Sequence, residues 1–289
     1  MTWRTVVITN KAKLSYKNDY LIVRNDEVKL IHLSEINTLI IDTTAATMTS
    51  YLISEMLSRK IKIIICVKKR NPQGEIIPYY GSHNTSEQIF KQIKWDDYCK
   101  IIWTRIIEEK IINQANFLKE LNIENYQMLY DYVGDLVLFD ESNREGHAAK
   151  VYFNSLFGKS FTREDQCDIN YALNYGYAIL LSQFNKEIVS QGYLTQLGIK
   201  HHNVYNSFNL SSDLMEPFRP LVDKIVKENF NERFDGGMKV KLVDVLNHKV
   251  RIKGKDQYVS NAISIYVKSI FNAIDKKDVD LINFFEYEL

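Results

Sequence analysis

The sequence predicts an α+β protein, in which a small N-terminal β-sheet domain over residues 1–84 precedes a mostly α-helical domain over residues 85–289. Three observations predict it. Short runs rich in Val, Ile, Thr and Tyr fill the stretch from Arg4 to Tyr80, and polar turns separate them at Lys17-Asn-Asp19 and Arg24-Asn-Asp-Glu27; this is the pattern of strands and reverse turns. Chain breakers then cluster at Pro72-Gln-Gly74, Pro78 and Gly81-Ser-His-Asn84, where a domain boundary belongs. Beyond them apolar residues recur at steps of three and four, the helical period.

Within the first half one helix is expected, because Tyr51, Leu52, Met56 and Leu57 fall at helical spacing before Lys62 to Val67 resumes as a buried strand. In the second half Ile93, Ile101, Trp103, Ile106, Ile107, Ile111 and Phe117 predict one long helix ending near Leu121. Further stripes span Met128 to Leu138, Gly146 to Phe157, Asp168 to Gln191 and Phe218 to Lys227, with Gly158 and Gly192 as stop signals. The acidic stretch Asp275 to Leu289 either docks through its aromatics or frays. No repeat of fixed period and no low-complexity tract is present.

With 289 residues, 45% of them hydrophobic, the chain is long enough to bury cores for two modest domains. Its longest apolar run, Ile61 to Val67, is broken by Lys62 and falls far short of the ~20 residues that cross a bilayer. No membrane is expected among its partners. The start, Met1 to Ile8, carries no extended apolar segment before a cleavage site, which places the chain in the cytoplasm. Cys66, Cys99 and Cys167 are odd in number and widely spaced, giving neither a disulfide framework nor a structural zinc site. A net charge of +1 lays down no general footprint for nucleic acid, so any DNA contact must come from local patches, a partner or a metal. Lys60 to Arg70 and His248 to Lys255 are locally basic, but such runs are usually solvated edges and turns.

The chain has no glycine-rich phosphate loop, no HExxH helix and no GxSxG elbow, which sets aside simple nucleotide-binding, zinc-protease and serine-hydrolase chemistry. Three polar stretches remain, Ser142 to His147, His201 to Asn203 and Ser211 to Glu216. Glu145 has two readings. Ser142-x-x-Glu145 is a capping box; yet steps of three, four, seven and eleven from Glu145 reach Ala148, Ala149, Tyr152 and Leu156, which turns its carboxylate inward, where a cation would satisfy it. For Glu216 the cap is the stronger reading, through Asp213-x-x-Glu216 and Pro217 in a first turn. The stripe Phe218, Leu221, Val222, Ile225 passes beside Glu216 and leaves it on a polar flank with Arg219 and Asp223. His201 opens an Asn-rich segment that reads as a loop delivering side chains. With two carboxylates it makes a mixed nitrogen and oxygen shell, suited to Mg²⁺ or Mn²⁺ rather than structural zinc. His202 and His147 read as surface or supporting groups.

Taken together, these stretches resemble the blocks of the CRISPR-associated integrase, the universal catalytic subunit of the spacer-acquisition complex. Glu145 to Phe153 resembles its first acidic block, Asn170 to Tyr177 its helical block, Gly198-Ile-Lys-His201 its histidine block and Asp213 to Pro220 its last, all in order. In the sheet half, Trp3 to Val6, Leu14 to Lys17 and Leu30 to Ile36 look like the version found in type II systems. The resemblance covers almost the whole chain. It departs in two places: Phe153 stands where many members have tryptophan, and His202 duplicates the histidine, although Gly198-x-x-His favours His201.

What the resemblance implies is specific. Glu145, His201 and Glu216 are the metal ligands and catalytic residues, for Mg²⁺ or Mn²⁺, and the β domain serves dimerisation and partner contacts. The implied activity is that of a DNA integrase and endonuclease, inserting short double-stranded DNA fragments at the boundary of CRISPR repeat DNA by 3′-hydroxyl attack. The implied partners are a second copy of the chain, a small ferredoxin-like subunit in a heterohexamer of two integrase dimers and one partner dimer, and the type II effector nuclease. Asp213 or Asp223 would help hold a second cation, and Arg144, Lys150 and Arg219 would meet phosphate. Two other classes stay open: a non-catalytic scaffold that binds DNA ends, and an unrelated metal-dependent DNA-repair nuclease.

Overall fold

The alternation of the first half becomes strands in the structure, a computed structural model that describes residues 4–66, 72–78, 85–229 and 233–286. The chain separates into two units, Met1–Gly81 and Ser82–Leu289; the boundary expected at Gly81 to Asn84 lies outside the described residues, as does the end of the Lys60 to Arg70 basic run.

The first unit contains β1 (Arg4–Ile8), β2 (Ala12–Lys17), β3 (Tyr20–Arg24), β4 (Val28–His32), β5 (Ile36–Ile41), β6 (Ala46–Met48), α1 (Ser50–Ser58), β7 (Lys62–Cys66) and β8 (Pro72–Ile76). They form two four-stranded sheets, ordered β1-β5-β7-β8 and β4-β3-β2-β6. The turn read at Lys17-Asn-Asp19 is real. Lys17 pairs with Tyr20, and the two residues between, Asn18 and Asp19, take the left-handed conformation at φ 49° and 66°, which short polar side chains tolerate and a tight hairpin needs. β5, paired in parallel with β1 and β7 on its two edges, is buried at every position, as a strand covered on both faces is. Leu52 and Met56 of α1 join Leu14, Leu21, Leu39 and Ile63 in the core, whereas Tyr51 stays exposed against the edge of Tyr16. Thr49 caps α1 by accepting from the Leu52 N–H at 3.2 Å.

In the second unit the single long helix expected from Ile93 to Leu121 is two, α2 (Thr85–Ile93) and α3 (Tyr98–Glu120). The stripe runs through both, but the Asp96 side chain accepts from the Tyr98 N–H at 3.0 Å and interrupts the helix there. Ile93 is consequently exposed. There follow α4 (Tyr126–Gly134), α5 (Arg144–Phe157), α6 (Asp168–Ser190), α7 (Asn209–Leu214), α8 (Arg219–Glu228), α9 (Gly236–Asp244), β9 (Lys249–Ile252), β10 (Lys255–Tyr258), α10 (Val259–Lys276) and β11 (Phe285–Glu286). The His248 to Lys255 run, read as an edge or turn, is a hairpin turning on Lys253 and Gly254. β11 pairs with β9 and brings the acidic stretch back onto the unit, burying Phe285 against Phe218 with ring centroids 4.6 Å apart. α3 is the central element, packed by α4, α5, α8 and α10. Among the described residues no helix is long and apolar enough to cross a membrane. Cys99 and Cys167 are free thiols, and burial pushes the Cys99 thiol up to about 12, which removes it as a nucleophile.

Candidate active site

Four segments converge on one place in the helical unit: the middle of α3, the first turn of α5, the loop from Gly198 to His201, and the turn from α7 into α8. Glu145 enters from α5, whose start is not built as the capping box suggests. Ser142 does not cap it. Instead the buried Asp140 accepts from the Arg144 N–H at 2.7 Å and the Glu145 N–H at 3.1 Å. It comes from a turn in which Phe139, Asp140 and Asn143 all have positive φ. The carboxylate of Glu145 is therefore free of capping and does turn inward, where its Oε1 lies 2.6 Å from the Lys110 Nζ of α3.

Glu216 is only 3% exposed. The polar flank expected for it is covered, because α8 is packed between α3 and α6. Its Oε2 lies 2.5 Å from Lys110 Nζ and 2.9 Å from Arg219 Nε. Burial by itself pushes this carboxyl up, but the Arg219 and Lys110 charges overcome it and hold Glu216 at about 2, ionised at any physiological pH. Lys110 is raised as well: burial disfavours its charge, and Glu145 and Glu216 more than compensate. Below the carboxylate, the Phe218 ring is held by Phe184, Tyr266 and Phe285, and Asn113 donates to the Pro217 carbonyl at 3.0 Å. The turn bearing Glu216 is thus fixed by packing as well as charge.

His201 is held in the opposite way. Asp213 does not cap a helix and is not free for a cation; it is completely buried and both oxygens are used. Oδ2 accepts from the Ile199 and Lys200 N–H groups at 2.6 and 2.9 Å, and Oδ1 accepts from the His201 N–H at 3.2 Å and faces its Nδ1 at 2.5 Å. Backbone amides wrapped around one carboxylate in this way form a nest. The loop fits only without a side chain at Gly198, where a Cβ would strike the His201 carbonyl oxygen and come within 2.7 Å of Asp213 Oδ2. The hydrogen bond to Asp213 raises the His201 pKa from its ordinary value, against the effect of burial, with Glu216 and Glu145 adding to the rise. With Nδ1 committed, the neutral ring presents its Nε2 lone pair, and the ring stands nearly perpendicular to that of Trp103, centroids 5.9 Å apart.

The other expected helpers sort themselves by partner. Asp223 is fully buried and accepts from the Tyr152 hydroxyl at 3.0 Å and from the Tyr177 hydroxyl, so it has no oxygen to give a second cation. Burial raises it to about 6 despite those two bonds. Arg219 is committed to Glu216 and lies 4.6 Å from the centre of the Tyr177 ring. Arg144 pairs with Asp135 at 3.3 Å, while Lys150 is exposed. His202 and His147 are exposed, as expected of surface groups.

Glu145 and Glu216 are therefore brought onto one positive charge, and His201 feels both. Among the described residues no three His, Cys, Asp or Glu side chains already stand close enough to hold an ion. The donor chemistry nonetheless fits a hard divalent cation: two carboxylates that reach the same ammonium, and an imidazole whose far nitrogen is held by a buried aspartate. Sequence reasoning missed Lys110. The signal was a lysine three and four residues from Ile107 and Ile106 and beside Ile111, a charge inside an apolar stripe. It also missed Asp140 and the nest at Asp213.

Residues 5–235 match the profile of the family described as CRISPR associated protein Cas1. A relative from Neisseria meningitidis serogroup C (strain 8013), a CRISPR-associated endonuclease Cas1, is 30% identical over 286 residues, covering 96% of this chain and 94% of its own length. Among solved structures, a casposase bound to integration product superposes with a TM-score of 0.76 at 19% identity, over 96% of this chain and 91% of that one. A chain of a Cas6-RT-Cas1–Cas2 complex gives a TM-score of 0.74 at 19% identity, over 96% of this chain; the match spans 36% of that longer chain. The two structural likenesses carry the fold.

Proposed function

As the chain belongs to the Cas1 family, we propose that it is the integrase and endonuclease of CRISPR adaptation, inserting short double-stranded DNA fragments into CRISPR repeat DNA. The observation that carries this reading is the convergence of Glu145 and Glu216 on a single ammonium beside His201. Glu145, Glu216 and His201 would hold Mg²⁺ or Mn²⁺, which when bound supplies Lewis-acid polarisation of a phosphoryl oxygen.

The reaction is a transesterification. A 3′-hydroxyl of the fragment forms a new phosphorus–oxygen bond at the edge of the repeat while one phosphodiester bond breaks, so no ATP is consumed, in keeping with the missing phosphate loop. Water in place of the hydroxyl gives cleavage. The residues of the chain supply placement: Arg219 and Lys110 keep Glu216 ionised, and Asp213 fixes which nitrogen of His201 faces the site. Lys150, exposed on α5, would meet phosphate.

The chain would act in the cytoplasm as a homodimer joined to a small ferredoxin-like partner, two dimers to one partner dimer, with the β unit making these contacts and the type II effector nuclease associating further. The Cas1–Cas2 assembly among the structural neighbours supports such a partner. The test is transfer of a labelled fragment into a repeat-containing plasmid, with and without Mg²⁺ or Mn²⁺ and the small subunit. Glu145→Ala, His201→Ala and Glu216→Ala are each expected to abolish joined product while DNA binding persists. Joined product without a divalent cation would overturn the metal reading, product in any variant would remove that residue, and cleavage without joining would make the chain a nuclease only.

A further inference from the structure

Glu145 and Tyr152 lie seven residues apart, as do Glu216 and Asp223. Seven residues are about two helical turns, so Glu145 and Tyr152 share a face of α5, while Glu216 lies in the turn that leads into α8 and Asp223 within α8. The two pairs face each other. At one level Glu145 and Glu216 meet through Lys110; two turns along, the Tyr152 hydroxyl donates to Asp223 Oδ2 at 3.0 Å. α5 is thus tied by two rungs to the segment that runs from the Glu216 turn into α8. The other oxygen of Asp223 takes the Tyr177 hydroxyl from α6, and the Tyr177 ring lies against the Arg219 guanidinium that pairs with Glu216. One side chain therefore reaches Glu216 by two routes, through the spacing of α5 against α8 and through the ring beneath Arg219. Asp223 and Tyr152 are wholly buried and Tyr177 is 7% exposed, so no water replaces a lost bond.

We propose that Asp223 is a positioning residue that sets the separation of Glu145 and Glu216 and thereby the affinity of the site for its divalent cation. This rests on the cation reading given above. The role requires a carboxylate. Asparagine keeps the volume but has one acceptor oxygen, and so leaves one phenol without its acceptor and frees either the α5 rung or the Tyr177 ring. Tyr152→Phe and Tyr177→Phe each cut one route and leave the other.

The experiment is Mn²⁺ binding to the full-length chain, followed without DNA by titration calorimetry and by the spectroscopic signal of free Mn²⁺, together with strand transfer over a range of Mn²⁺ concentrations. Asp223→Asn is expected to weaken Mn²⁺ binding by about 10–100-fold, the effect of removing a group that orients metal ligands. Transfer should need correspondingly more Mn²⁺ and recover at saturation. Tyr152→Phe and Tyr177→Phe should each produce part of the loss, and they carry the test if Asp223→Asn does not fold. Unchanged Mn²⁺ affinity in the folded variants, beside a wild type that binds, would overturn the proposal alone. A wild type that binds no Mn²⁺ would overturn it together with the cation reading.

Discussion

The two arms of the site are held by opposite means. Glu145 and Glu216 are negative groups fixed by positive side chains, Lys110 and Arg219, whereas the His201 loop is fixed by backbone N–H groups gathered on the negative Asp213. The first arm depends on charge balance within buried surroundings, and the second on peptide geometry. The difference teaches where each arm is vulnerable. Removing a charge from the first leaves others stranded; changing shape in the second displaces the loop.

The largest effect should come from the charge arm. Glu216→Ala takes the buried partner from Arg219 and leaves Lys110 to Glu145 alone, and is expected to cost about 3–5 kcal/mol of stability, the usual penalty for breaking a buried pair. Glu145→Ala leaves Lys110 paired with Glu216 and, at a side chain 27% exposed, should cost below about 1 kcal/mol. Urea unfolding of the two variants measures the gap; equal costs would show that Glu216 is not the keystone of the arm.

Acid should probe the same arm next. Glu216 is depressed to about 2 from an ordinary 4.5, so its contribution is present above pH 4.5 and is lost as pH falls toward 2, about 3 kcal/mol by linkage. Asp223 has the opposite sign. Raised to about 6 from 3.8, it contributes fully below pH 3.8 and loses its contribution, of similar size, as pH rises through 6. Stability against pH should therefore climb to a maximum near pH 4 and then decline, and Asp223→Asn should remove the part of the decline between pH 3.8 and 6, leaving that of Glu109, which burial raises to about 7 from 4.5. An unchanged decline below pH 6 in that variant would remove Asp223 as its cause.

The geometry arm should respond less. Asp213→Ala leaves three backbone N–H groups without their acceptor, an expected loss of about 2–3 kcal/mol after partial rehydration. Gly198→Ala, which forces the loop off Asp213, should cost about 1–3 kcal/mol and depress strand transfer more than stability alone explains. His201→Ala should be the mildest for the fold, within about 0.5 kcal/mol, because its side chain is 46% exposed, and yet abolish transfer. Thermal unfolding beside the transfer assay separates the two readouts.

How much of this was legible follows from the range of each contact. The Asn18-Asp19 hairpin turn and the sheet unit around it depend on neighbours in sequence and were readable. The inward turn of Glu145 was readable from its spacing to Tyr152 and Leu156. Both capping boxes misled, because the pattern that suggests them is local while the structure satisfies the same groups from elsewhere, α5 through the unusual backbone at Asp140 and the His201 loop through Asp213 twelve residues on. The break at Asp96 was hidden by an apolar stripe that continues across it. Lys110 left a visible mark, a charge on a buried face, but its two partners come from α5 and the turn before α8 and no spacing names them. The family resemblance chose Glu216 where periodicity alone favoured a cap.

The burial of Phe285 on Phe218 also sets an order of events in time. Domains begin folding from the N-terminus while synthesis continues, and Glu145, His201 and Glu216 all leave the ribosome well before Phe285. The turn that carries Glu216 gains its last packing partner only when that aromatic arrives. The turn that carries Glu216 is therefore kept loose on the nascent chain and tightens only once Phe285 has been made.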